Sequence, residues 1–577
     1  MKQGWLRRLW RFLRPHAPAL AAAAALAAAS GLLALLVPLF SGWAVGAVGT
    51  EAGRVDLGRV ALWCAGAALA AALSALFAYG AAAVLTRAAQ AVSYELRKAA
   101  FRRISELPVQ YFDTHPAGDL ISRVCYDVDT VNAALSTDLL QIGTSVLTVA
   151  GSFVMLLLLS PSLAGVFFVT VPLSAALTWL QMKRIHPLYR LRSRGLGELN
   201  GFVEERVGCQ RAVRLYQVEE ADLAQFAVKN EDASRAYYRA DCAGAALGPS
   251  VNFINNLSLA AISVFGALMY LSGTLSLAAL SSFVLYSRKF SGPIRATAEL
   301  LSDLQASAAA TERVLDLLDQ PPEAGDLPGA REPGPLSGNI AFRHVDFGYD
   351  PAHPVLRDFS VDIPAGSMVA VVGPTGAGKT TLVSLLLRFY APQGGVITID
   401  GLPLDRYTRD GLRRRLAIVL QDSWLCGGTI AENIAYGVPG ATRAQVEEAA
   451  RAACIHDFLA SLPQGYDTVL TDTGAGLSKG QRQLLALARC FLSDADIVIL
   501  DEATSDVDPE TEEQISAALE HLRQGRTCFL IAHRLATVRT ADRILVLRDG
   551  AVAEQGTHAE LLARGGAYRA LYDAQFA

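Results

Sequence analysis

Gly373-Pro374-Thr375-Gly376-Ala377-Gly378-Lys379-Thr380 stands between an apolar run, Met368-Val369-Ala370-Val371-Val372, and a helix-forming one, Thr381-Leu382-Val383-Ser384-Leu385-Leu386-Leu387. Strand, glycine-rich turn and helix, in that order, are what a phosphate-binding loop requires. The glycines let the backbone curl until successive N–H groups converge on phosphate oxygens, and the positive end of the helix dipole strengthens the anion site. Gly373, Thr375, Gly376 and Gly378 would form the cradle, with Thr381 opening the helix beside it. Lys379 would reach the β- and γ-phosphates, and the Thr380 hydroxyl would ligate Mg²⁺. An ordinary strand-to-helix turn has no need of all the specified positions. The stretch predicts a nucleoside triphosphate site.

Outward from this loop, the composition points to a membrane. The 577 residues leave room for two to four domains, and 52% of them are hydrophobic against 18% charged. A mean hydropathy of +0.30 is too apolar for an average soluble enzyme. Net charge is −4, which gives no indication of a nucleic-acid partner. The eight cysteines are scattered without a C-x-x-C pair, so free thiols facing a reducing cytosol are expected rather than a metal or redox site.

No charged side chain occurs from Ala17 to Thr50, Val60 to Thr86, Leu139 to Met182 or Cys242 to Ser287. A membrane-crossing helix needs about 20 apolar residues. The first two runs therefore supply one span each. The third supplies two around Ser160-Pro161-Ser162, and the fourth supplies two around Ser272-Gly273-Thr274. Six spans are predicted. Arginines and lysines crowd the N-terminus, the segment Arg87–Asp138 and the start of Lys183–Asp241, which places these segments and both termini in the cytoplasm. The first apolar run outlasts the roughly 7–15 residues of a signal-peptide core, so it reads as an uncleaved span. Trp5, Leu6, Leu9, Trp10 and Leu13 among arginines read as an amphipathic helix at the inner surface.

The two cytoplasmic segments, about 50–60 residues each, are strongly helix-forming. Paired helices of about 25 residues would reach nearly 40 Å from the membrane, a length suited to transmitting movement. Pro116-Ala117-Gly118 and Gly208 are the candidate breaks at their tips. A Pro/Gly-rich stretch from Gln320 is taken as a linker, giving a membrane domain at 1–319, a linker at 320–337 and a nucleotide-binding domain at 338–577. In the last domain short apolar runs alternate with helical patterns, as in an α/β fold, and Asp400-Gly401 and Asp549-Gly550 mark hairpin turns. The predicted fold class is a six-span α-helical bundle followed by an α/β phosphate-loop domain.

Hydrolysis also needs an acid to hold Mg²⁺ and a base for water. Ile497-Val498-Ile499-Leu500-Asp501-Glu502 is an apolar strand ending in two carboxylates. Asp501 is placed to hold Mg²⁺ and Glu502 to polarise the attacking water. Alone, such a pair is a solvated strand end; downstream of a phosphate loop it is a catalytic candidate.

With these elements in order, the chain resembles a half-transporter of the ATP-binding cassette (ABC) exporter type, like bacterial multidrug and lipid exporters. Leu477-Ser478-Lys479-Gly480-Gln481 is similar to the family signature L-S-G-G-Q, with Lys479 in place of the first glycine. The resemblance implies that Ser478, Gly480 and Gln481 serve an ATP held by the partner's phosphate loop. It also implies that Tyr349 stacks on adenine, Gln421 senses Mg²⁺ and the γ-phosphate, Ser505-Asp506-Val507-Asp508 speaks across the dimer, and His533 contacts the γ-phosphate. Tyr111-Phe112-Asp113 with Gly118-Asp119-Leu120 and Ser122-Arg123 is similar to the first intracellular loop of such exporters. Short coupling helices are implied near Thr114–Ala117 and Gly208–Arg211, the latter docking on the partner's ATP-binding domain.

The implied protein is an ATP hydrolase in the cell membrane that uses ATP and Mg²⁺. It would work beside a second half-transporter and export a hydrophobic or amphipathic drug-like or lipid molecule by alternating access. Lys479 would sit near the partner's γ-phosphate, which favours a heterodimer over a homodimer. An importer built on the exporter fold and an ATP-gated channel remain as alternatives. Arg288 and Lys289 fall about 20 Å into a 30 Å hydrocarbon core. They either contact anionic cargo or line a wet vestibule. Asn252, Asn255 and Asn256 are read as helix-packing polar groups.

Overall fold

The computed structural model describes residues 5–48, 55–350, 352–420, 424–470, 476–501, 508–531 and 538–576. The chain divides into two compact units, one made of residues 1–106 and 116–320, the other of residues 107–115 and 321–577.

In the first unit, five helices among the described residues are long and apolar enough to cross a bilayer: Arg7–Val48, Leu57–Glu106, Ala117–Leu159, Pro161–Gly208 and Glu219–Leu271. A sixth helix, Leu277–Leu318, lies antiparallel to the first, with Ala278 against Gly46 and Ser282 against Gly42. The hairpin tips fall where predicted. Ser160 caps the helix that starts at Pro161, accepting the Leu163 N–H at 3.4 Å, and Gly273 turns the chain in the left-handed region. Lipid tails offer no hydrophobic driving force between helices, so small and hydroxylic residues bring them together. Ser30 and Ser74 each donate to the other's backbone carbonyl at 2.9 Å, joining the first two spans. Phe40, Trp43 and Trp63 cluster near the outer ends of those spans, an interfacial aromatic anchor.

The cytoplasmic extensions are held by ion pairs instead. The helix Ala117–Leu159 contains two π turns, Arg123–Asp127 and Ala134–Asp138. The first carries the buried Asp127, which takes two hydrogen bonds, at 2.8 and 2.5 Å, from Arg313 of the sixth helix. The N-terminal helix Trp5–Leu13 is amphipathic as predicted: Leu9 is buried with Val92, Leu96 and Val314, while Trp10 is exposed. The short helices at the tips are Val109–Thr114 and Gln210–Tyr216, a few residues away from the expected Thr114–Ala117 and Gly208–Arg211. Pro116, lacking an N–H, suits the start of a helix, so it opens the returning strut and the first tip precedes it.

The second unit is an α/β domain with twelve strands among its described residues: β1 Ile340–Phe347, β2 Leu356–Ile363, β3 Met368–Val372, β4 Gly394–Ile399, β5 Leu402–Pro403, β6 Leu416–Val419, β7 Gly428–Thr429, β8 Val469–Leu470, β9 Ile497–Asp501, β10 Thr527–Ile531, β11 Arg543–Arg548 and β12 Ala551–Gly556. A six-stranded sheet runs in the order β12-β11-β3-β10-β9-β6, and its five strands from β11 to β6 are mutually parallel. An antiparallel sheet, β2-β1-β4-β5, packs on it. Side chains alternate across a strand, so β3 feeds two cores. Met368, Ala370 and Val372 face a helix-lined core with Leu484 and Ile515, whereas Val369 and Val371 face the antiparallel sheet with Phe342 and Phe359. Burial on both faces explains why these strands read as continuous apolar runs. Ile499 is 0% exposed in β9. Ile499→Ala is expected to cost about 2–5 kcal/mol and to lower the melting temperature of the purified protein in calorimetry; an unchanged transition would contradict this packing.

Candidate functional site

The parallel sheet decides where the chemistry gathers, because ligands of such sheets bind outside the carboxyl ends of the strands. Val371 of β3, Ile531 of β10 and Asp501 of β9 stand in one row across three adjacent strands. Val419 of β6 lies beside Leu500. The loops that follow β3, β6, β9 and β10 therefore leave the same edge of the sheet.

The loop after β3 is closely packed. A side chain on Gly373 would meet the Leu547 carbonyl oxygen at 2.5 Å, and one on Gly378 would meet Leu356 at 2.8 Å; Gly376 has open space around it. Gly378 (φ 98°) and Gly376 (φ 84°) lie in the left-handed region, where glycine carries no Cβ penalty. The helix Lys379–Leu386 begins immediately after, leaving its first N–H groups without helical partners. Lys379 is only 6% exposed, and its ammonium donates to the carbonyls of Gly373 at 2.8 Å and Pro374 at 3.1 Å. Thr375 and Thr380 are exposed at the mouth, and Thr381 is buried behind them. A helix start, an ammonium and two exposed hydroxyls at one turn fit a polyphosphate and, at its hydroxyls, a divalent cation.

Tyr349 is brought to this loop through the buried Thr381, with 3.3 Å between the two hydroxyl oxygens, and its ring meets those of Phe347 and Tyr390 edge-on. The residue stays 48% exposed, which leaves room for a flat partner on its ring. Asp501 closes β9 on the same edge, half-buried. Gln421, Glu502, Ser505, Asp506, Val507 and His533 lie outside the described residues. The described strands that precede Gln421, Glu502 and His533 are β6, β9 and β10.

Ser478, Gly480 and Gln481 belong to a different part of the unit, the start of the helix Lys479–Ser493. Ser478 and Gln481 form a capping box: the Ser478 hydroxyl accepts the Gln481 N–H at 3.1 Å, and the Gln481 side chain accepts the Ser478 N–H at 2.9 Å. Gly480 is buried, and Lys479 stands at the first helical position, half-exposed. Asp508 caps the helix Pro509–Leu522, and the Thr511 N–H and hydroxyl hold its carboxylate below the usual pKa.

Two positioning residues carry no local signal in the sequence. Arg489, on the helix that Ser478 caps, donates to the carbonyls of Asn433 at 2.7 Å and Trp424 at 2.6 Å and to the Asn433 side chain at 2.8 Å. It ties that helix to the segment downstream of Gln421. Tyr390 donates to Asp113 on the short helix Val109–Thr114, and burial followed by that carboxylate pushes its phenol above the ordinary range. All eight cysteines are free thiols, as expected; burial pushes Cys490 up to about 12 and Cys528 up to about 11, so both stay protonated.

Comparison with known proteins agrees with this geometry. The family described as "ABC transporter transmembrane region" matches residues 20–294, and that described as "ABC transporter" matches residues 356–505. A "Fatty acid ABC transporter ATP-binding/permease protein" of Mycobacterium tuberculosis is 42% identical over 86% of this chain and 78% of its own length. An "ATP-dependent lipid A-core flippase" of Chromohalobacter salexigens is 38% identical over 85% and 84%, respectively. A solved bacterial Atm1-family ABC exporter with ATP bound covers 98% of this chain and 99% of its own, with 29% identity and a TM-score of 0.78.

The chain belongs to the ABC transporter family. It is a multi-pass membrane protein with a cytoplasmic ATP-binding domain, and it couples ATP hydrolysis to export. The motifs alone leave direction open between exporter and importer; its relatives decide for export. Gly378→Ala, strained in backbone and crowded against Leu356, is expected to weaken ATP binding at least tenfold in a fluorescent-nucleotide titration. Undiminished affinity would mean that this turn does not hold the phosphates.

Proposed function

We propose that this exporter moves a hydrophobic or amphipathic molecule, of lipid or drug-like class, out of the inner leaflet, two half-transporters closing on two ATP molecules. The observation that supports the substrate class is a bundle nearly free of charge: the four apolar runs contain no acidic or basic side chain, so a strongly polar cargo would find few partners. The relatives named for fatty acid and lipid A-core point the same way.

In this reading Gly373, Thr375, Gly376, Gly378, Lys379, Thr380 and Thr381 hold the triphosphate, and Tyr349 stacks on the adenine. Thr380, Gln421 and Asp501 hold Mg²⁺, whose charge would screen the β- and γ-oxygens. Glu502 polarises the attacking water, and His533 and Lys379 steady the γ-phosphate. Ser478, Gly480 and Gln481 complete the partner's ATP site. The membrane domain is 1–319, the linker 320–337 and the ATP-binding domain 338–577. Bound γ-phosphate favours the closed pair because it contacts both domains, and closure is read by the bundle. A cleft of about 800 Å³ beside Tyr390, Arg388 and Gln393 is where the partner's helix Gln210–Tyr216 would dock.

The partner we favour is a different half-transporter. Lys479 places a flexible cation at the start of the signature helix, where glycine lets the backbone approach a phosphate closely. Purified alone, the chain is then expected to show weak ATPase activity, rising when a complementing half-transporter is added; brisk turnover as a homodimer removes the need for that partner.

Transport itself is tested with Glu502→Gln, which is expected to keep ATP affinity while lowering turnover by about 10²–10⁴-fold, the usual worth of a general base. ATP-driven movement of a fluorescent amphiphile into inside-out proteoliposomes should fall with it. Near-normal phosphate release by this variant would sink the assignment of Glu502.

A further inference from the structure

The sixth helix carries two adjacent cations, Arg288 and Lys289, immediately after an uncharged run. Lys289 lies twelve residues beyond Leu277 at the helix start, or about 18 Å into the bundle. Its ammonium is half-buried and donates at 2.7 Å to the backbone carbonyl of Ala34 in the first span.

That carbonyl is available for a covalent reason. Within a helix the Ala34 oxygen would accept the N–H of residue 38, but residue 38 is proline and has none. One residue on, the Leu35 carbonyl accepts the hydroxyl of the buried Tyr286. Tyr286 and Lys289 are three apart, so they share one helix face; Lys289 takes the carbonyl that Pro38 leaves free and Tyr286 the carbonyl beside it. A carbonyl dipole satisfies an ammonium hydrogen but does not neutralise its charge. No carboxylate pairs with Lys289 among the described residues, and the uncharged runs of the bundle contain no acid at all.

An apolar cavity of about 410 Å³ lies further along the first span, lined by Leu20, Ala23, Ala27, Leu139, Gly143 and Leu147 among others. Its volume is in the range of small-molecule sites. Residues 20, 23, 24, 27 and 28 follow the helical i, i+3, i+4 stripe, and Gly31 and Ala34 continue it. Leu147 lies both on the cavity wall and over Gly31. Ala34 is six residues beyond Ala28, about 9 Å of helix rise. The slot and the carbonyl that holds Lys289 thus lie along one face of one span, with Leu147 packed over Gly31 between them.

We propose that Lys289, held at the Ala34 carbonyl that Pro38 leaves free, is the head-group site for an anionic single-chain amphiphile whose alkyl tail occupies this cavity. The Ala34 carbonyl is the resting partner of the ammonium; a carboxylate takes its place when the amphiphile binds. Arg288, exposed beside it, adds positive potential. The site rests on the reading of the protein as an exporter of amphiphiles and narrows it to fatty-acid-like anions.

The test uses the full chain in phosphatidylcholine nanodiscs, with displacement of a nitroxide-labelled stearate by palmitate or by hexadecanol. The wild type is expected to prefer the carboxylate by tenfold or more. Lys289→Met should abolish that preference and Lys289→Arg should keep it, while Ala27→Phe, which fills the slot, should weaken both ligands alike. Equal affinities in the wild type, as for a crevice filled by ordinary lipid, overturn the proposal, and so does a preference that survives Lys289→Met. ATP-driven transport of either amphiphile, palmitate or hexadecanol, by the wild type is measured in parallel. Its loss would overturn the exporter-of-amphiphiles reading, whereas its presence without any carboxylate preference removes only the Lys289 site.

Discussion

The parallel pairing of β3, β10 and β9 is the constraint on which the ATP-binding unit depends. Their amide groups are buried on both faces and must be paired within the sheet, which locks the register of each strand to its neighbours. Side-chain alternation makes a one-residue slip costly, since it would exchange the two cores on either face. With the register held, the loop after Val372 and the carboxylate of Asp501 are separated by two strand spacings, about 10 Å. The strands contribute no catalytic group except at their ends, and their role is to bring those ends level.

The membrane unit meets a different constraint. Without water to satisfy it, a backbone carbonyl inside the bilayer needs a protein partner. In the first span Pro38 leaves the Ala34 carbonyl without its helical partner, and the sixth helix supplies one in Lys289. The repair leaves a positive charge inside the bundle with no carboxylate partner among the described residues, and a residue kept under such conditions is a functional candidate. Closer to the cytoplasm the helices separate into a polar environment and charge can be paired. There Asp127 and Arg313 fasten the third strut to the sixth, and Arg8 reaches Asp316 and Asp319.

Much of the architecture was legible because each element leaves a local trace. Charge-free runs mark spans, and Ser160-Pro161 and Ser272-Gly273 mark their turns by the stereochemistry of those residues. The phosphate loop carries its own signature, since its function needs glycines at fixed spacing. What was misplaced is instructive. The tip helices sit at Val109–Thr114 and Gln210–Tyr216, the first of them displaced because Pro116 begins a helix rather than ending one. Arg489, Tyr390 and Lys289 have no local trace of their roles. Arg489 is one arginine among many until the fold sets Asn433 and Trp424 in front of it.

By itself, then, the sequence marked the charge-free membrane-crossing runs, the side of the membrane on which the chain does its chemistry, and the glycine-rich phosphate-loop motif. These are properties of composition and spacing over a few tens of residues. The tertiary structure decided which distant residues meet. It levelled the ends of β3 and β9, brought Tyr349 to Thr381 and aimed Lys289 at Ala34 across 255 positions of chain. A one-dimensional pattern records what a residue can donate or accept. Only the packed chain settles which partner is within 3 Å.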